Sequence, residues 1–93
     1  MKMDFNPGTI SNIQTKIVEL EVEIRLAENE CDFLNEVISE EKEELQKTND
    51  RAEAMVIANK IGDHQKQLEE AEVRCDHLER EQRFYKEADV ISR

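Results

Sequence analysis

Residues 38–57 read ISEEKEELQKTNDRAEAMVI, and the fold turns on this stretch. It holds the end of one apolar seam, a run of cap and turn residues, and the start of a second seam. From Ile38 the first seam runs back through Leu34, Cys31, Ala27, Ile24, Leu20, Ile17, Ile13 and Ile10. Its steps alternate between three and four, the spacing that keeps one stripe of a helix against a neighbouring helix. Glu41 interrupts this seam and Leu45 resumes it. From Ile57 the second seam runs forward through Ile61, His64, Leu68, Ala71, Cys75, Leu78, Gln82 and Tyr85. The two seams are out of phase by two residues, or about 200° around a helix. One unbroken helix would place them on nearly opposite faces, whereas a chain reversal lets them meet.

Thr48-Asn49-Asp50 supplies the reversal, and Asp50 with Glu53 has the spacing of a capping box. The reading is therefore an all-α, antiparallel two-helix coiled-coil hairpin. Helix 1 is expected over 10–46, helix 2 over 50–90, and an irregular segment over 1–9 that includes the Asn6-Pro7-Gly8 turn. Thr9 or Ser11 is the expected first cap. Gly62-Asp63 is a rival break, ranked second because both of its flanks belong to one seam. Ala27-Glu28, Cys31-Asp32 and Leu34 recur as Ala71-Glu72, Cys75-Asp76 and Leu78. Any two heptad segments align by period, so we do not take this as a duplication.

Two registers keep complementary seam positions opposite each other. In the first, Ile38 faces Ile57, Leu34 faces Ile61, Cys31 faces His64 and Ala27 faces Leu68. In the second, Leu34 faces Leu68, Cys31 faces Ala71 and Ala27 faces Cys75. The first matches large side chains to small ones, and the second stacks two all-small layers. Close packing favours the first. That register offsets the two cysteines by 11 residues, about 16 Å along the axis, too far for a disulfide.

Composition agrees with a helical rod. The chain has 93 residues, 39% charged, with no Trp, one Pro and two Gly. The formal net charge is −10. Residues 1–49 carry 12 acids against 5 bases, or −7, and residues 50–93 carry 11 against 8, or −3. This surface repels a nucleic-acid backbone, so direct nucleic-acid binding is not expected and a basic protein is the better electrostatic match. No apolar run reaches the length of a membrane span, and two cysteines make no disulfide framework. A reduced, cytoplasmic setting is the expectation.

No residue pattern points to catalysis, a cofactor or a metal. Cys31 and Cys75 read as small seam residues. His64 and Gln82 read as polar layers that set register. Two features point to partners. Glu40, Glu41, Glu43 and Glu44 cluster near the end of helix 1, where the helix dipole prefers cations. Glu19, Glu23 and Glu30 continue the acidic character along the same helix. Val18, Val22, Leu26, Phe33 and Val37 form a second apolar stripe, roughly opposite the first seam. A single hairpin leaves that stripe in water, so dimerisation into a helical bundle is expected. The functional expectation is a non-enzymatic protein–protein interaction module, an adaptor, assembly factor or inhibitor that binds itself and a basic protein. The alternatives are an acidic DNA-mimic inhibitor and a structural coiled-coil subunit.

Overall fold

The structure, a computed structural model, describes the backbone of residues 7–92 and the side chains of residues 12–91. Two helices, α1 (Pro7–Lys47) and α2 (Arg51–Ser92), fold back on each other across three residues. The result is a rod of 71 × 19 × 15 Å. Its radius of gyration is 20.8 Å, against about 12 Å for a compact domain of this length. One line of seam residues, not a three-dimensional core, holds the fold together.

The reversal is built from local hydrogen bonds. Thr48 N donates to Glu44 O at 3.0 Å and closes α1. Asp50 N donates to Thr48 Oγ1 at 3.3 Å. Ala52 N donates to Asp50 Oδ1 at 3.0 Å, and Ala54 N donates to Asp50 O at 2.9 Å. Asp50 thus caps α2 with its side chain and opens the helical ladder with its carbonyl. Glu53 adds negative charge to the first turn of α2, where the helix dipole favours it. The rival break at Gly62 is not used. α2 runs straight through it, and a Cβ there would meet nothing within 4 Å.

The start of α1 differs from the sequence reading. Pro7, Gly8 and Thr9 are helical, so Thr9 and Ser11 lie within the helix and not at its start. Proline suits this place, because its fixed φ is already helical and its missing N–H is one that a first turn leaves unbonded. The expected turn residue Asn6 lies outside the described residues.

Among the described residues the buried apolar ones are those of the two seams: Leu20, Ile24, Ala27, Leu34 and Ile38 from α1, and Ile57, Ile61 and Ala71 from α2. Ile38, Ile57 and Ile61 form one cluster, with Leu45 and Leu68 packed against it. The register, however, is the second of the two and not the one that close packing favoured. Glu41 meets His64, Glu30 meets Arg74, and Gln82 reaches the carbonyl of Ile17. In the favoured register Glu41 would have faced Ala54, and His64 would have faced Cys31. Each would have been a polar group against apolar neighbours, with its hydrogen bond unmade. The observed register pairs them. The predicted penalty is present too: an open groove of about 280 Å³ lies over the small layers, lined by residues that include Cys31 and Cys75.

Candidate partner-binding surfaces

The acidic cluster is split by the seam. Glu40, Glu43 and Glu44 are exposed on the last turns of α1. Glu41 is buried, 9% exposed, and its Oε1 accepts from His64 Nδ1 at 2.7 Å. Glu41 therefore does not belong to a docking patch, contrary to the sequence reading. Its place was legible: Ile38, Glu41 and Leu45 keep the three–four spacing, so Glu41 occupies a seam position and does not interrupt the seam geometrically. It could be recognised as a core residue only once His64 was known to be its partner. A buried carboxylate is tolerable when it is paired and hydrogen-bonded.

Around the exposed carboxylates, the turn presents a shallow hollow lined by Glu44, Lys47, Thr48, Asn49, Asp50 and Glu53. Lys47 places one cation in the last turn of α1. The acidic character along the helix is also interrupted: Glu30 accepts from Arg74 of α2 at 2.9 Å. Both side chains of that pair are about half exposed, so its contribution is small, ~0–1 kcal/mol.

The second apolar stripe lies on the outside of the hairpin. Val18, Val22, Leu26 and Phe33 are exposed, between 51% and 64%. Val37, nearer the seam, is half-buried. α2 carries exposed apolar residues of its own that the sequence reading passed over: Met55, Val56, Val73, Phe84, Val90 and Ile91. They fall at four separate places along the helix, Met55-Val56, Val73, Phe84 and Val90-Ile91, and form no comparable continuous stripe. Phe84 packs edge-on to Tyr85, with ring centroids 5.6 Å apart. Asp89 is another seam residue the pattern did not announce. It follows Tyr85 by four and is buried.

The cysteines stand closer than the favoured register implied. In the observed register their offset is about four residues, or ~6 Å along the axis, and both line the same groove. Both are free and half-buried. Burial pushes the Cys31 thiol up, with Glu72 adding to the effect. Burial also raises Cys75, helped by Glu79, whose Oε1 accepts from Cys75 Sγ at 3.6 Å. A raised pKa keeps both as thiols near neutral pH, the form that is neither nucleophile nor metal ligand. Donor atoms of Glu28, Cys75 and Glu79 lie within 4.8 Å of one another. Three such donors on two exposed residues and one protonated thiol fall short of the four-ligand set of a structural zinc site.

A further hollow, about 470 Å³, is lined by Glu21, Ile24, Arg25, Glu28, Glu79, Gln82, Arg83 and Lys86. It is an open strip of mixed charge and contains no nucleophile beside a base. Among the described residues no helix is long and apolar enough to cross a membrane. In comparisons with known proteins, no family model, curated protein or solved structure matches the chain.

Proposed function

We propose that this chain is a non-catalytic protein–protein interaction module, an adaptor, assembly factor or inhibitor. It presents the outer side of α1 to other proteins. One part of that side, the exposed Glu40, Glu43 and Glu44 with Glu19 and Glu23, meets a basic partner. The other part, the Val18–Val37 stripe, meets a second copy of the chain. The observation that carries the reading is the exposure of these carboxylates and of Val18, Val22, Leu26 and Phe33, while the seam residues between the helices are buried or half-buried. The charge is concentrated on α1 and sits partly where the helix dipole opposes it, so helix stability does not account for it. A reducing compartment suits two free thiols.

A DNA mimic is the weaker alternative, because Val22, Leu26 and Phe33 break up the rows of carboxylates and Glu41 is withdrawn from them. The remaining alternative, a structural subunit, needs no basic partner. The test is charge reversal of Glu40, Glu43 and Glu44 to Lys, with Glu41 left in place to keep the His64 contact. Helicity should persist, since Glu and Lys have similar helix propensity. A basic protein captured from cell extract by the wild type should bind the variant at least tenfold more slowly, because steering follows the charge field. Unchanged association at low salt would reject the acidic face as a docking surface.

A further inference from the structure

We infer that the Val18–Val37 stripe is the interface of a symmetric dimer in which α1 of one copy runs antiparallel to α1 of a second copy. The inference rests on the self-association half of the functional reading and not on the docking of a basic partner.

The first observation is the spacing. The stripe positions are 18, 22, 26, 29, 33 and 37, with steps of four, four, three, four and four. The pattern reads the same in both directions about a point between Ala27 and Glu28. An antiparallel pair centred there places Val18 against Val37, Val22 against Phe33, and Leu26 against Asn29 of the second copy. A twofold axis makes every such contact occur twice, as an isologous interface requires. The one polar member, Asn29, lies beside the axis, where a polar layer fixes register and orientation.

The second observation is surface. The chain exposes 7341 Å², whereas a compact monomer of 10.9 kDa exposes about 5,600 Å². The excess exceeds the roughly 800 Å² that each partner gives up in a standard interface. A thin rod with a second apolar stripe has the surface to spare and the side chains to spend it on.

The third is direction. On α1 the stripe lies about 150° from the seam that holds α2, counting 100° per residue. A second copy can therefore approach without touching α2. Interfaces at that angle do not close into a square bundle. They stack the helices in a row, with the two copies of α1 in the middle and α2 on each outside. This departs from the closed helical bundle that dimerisation was expected to form. Charges flanking the contact are mixed. Arg25 comes beside Asp32 of the second copy, and Glu23 comes beside its Glu30, a residue already held by Arg74.

Two measurements test this. In sedimentation equilibrium the wild type should be a dimer at 100 µM, in 1 M NaCl as well as at low salt. Phe33→Glu should weaken dimerisation at least tenfold, with helicity retained because Phe33 is exposed in the hairpin. In a Cys31→Ser, Cys75→Ser background, a spin label on Asn29→Cys should give an inter-copy axial separation of about 5 Å, and one on Val18→Cys about 28 Å. A wild-type monomer, a dimer indifferent to Phe33→Glu, or short distances at both labels, which means parallel pairing, would each overturn the inference. Because the dimer survives high salt and the acidic face does not act at high salt, failure of one leaves the other standing.

Discussion

The half of the hairpin nearest the turn and its middle are held together by different means. Near the turn, Leu34, Ile38, Leu45, Ile57, Ile61 and Leu68 supply large side chains, and Glu41–His64 supplies a paired polar layer among them. In the middle, the facing residues are Ala27, Cys31, Ala71 and Cys75. Ala27 and Ala71 are almost wholly covered, yet an open groove remains beside the cysteines. Apolar volume stabilises the first region. The second is tolerated because the register that creates it is set elsewhere, by a hydrogen bond two turns away. A register in a two-helix rod is one choice made for the whole length, so a strong preference in one segment imposes a poor match on another.

The largest expected effect breaks the well-packed region. Ile61→Ala removes a buried side chain and should cost ~2–5 kcal/mol, read as a lower urea midpoint. Ile17→Ala, at a half-buried position far from the turn, should cost clearly less, because less of the side chain is removed from water. Equal losses at the two sites would mean that the rod is uniformly packed and the comparison is wrong.

A smaller effect is expected from the polar layer that sets register. Glu41→Ala leaves His64 without its carboxylate and should cost ~1–3 kcal/mol. A substitution that removes both, Glu41→Leu with His64→Leu, should recover most of that loss. It should also free the rod to slide toward the register in which Ile38 faces Ile57. Spin labels at Glu30 and Arg74, close in the native register, would then move apart. Labels that stay close in the double variant would show that the turn alone fixes the register.

The smallest effect sharpens the account of the middle. Both thiols have pKa values raised by folding, chiefly through burial. The folded state therefore holds these protons more tightly than the unfolded one. The stability they contribute is complete below the unfolded thiol pKa of about 8.5 and is lost as the pH rises through the folded values. Between pH 8 and 10 the wild type should lose more stability than the Cys31→Ala, Cys75→Ala variant, compared by denaturation at each pH. Parallel pH profiles would show that the groove leaves the thiols fully hydrated.

Much of this architecture could be read along the chain. Helix, hairpin and reversal follow from short-range rules, because seam spacing and cap residues act within a few positions. Thr48 and Asp50 make the predicted turn whatever lies beyond it. The candidate surfaces were legible to a similar depth, since an exposed stripe is a residue pattern on one helix. The burial of Glu41 was not, because its neighbours in sequence, Glu40, Glu43 and Glu44, resemble it while its environment is set by a residue 23 positions away.

The sequence by itself determined that two amphipathic helices form, where the chain turns, and that α1 carries more apolar surface than α2 can cover. Periodicity and capping are local, and burial of a stripe follows from its spacing. Only the tertiary structure decided the register, and with it the burial of Glu41 and the shared groove of Cys31 and Cys75. Both registers satisfy the heptad pattern, so the choice falls to pairwise energies between residues distant in the chain. There, satisfying a buried carboxylate outweighed the better fit of large against small.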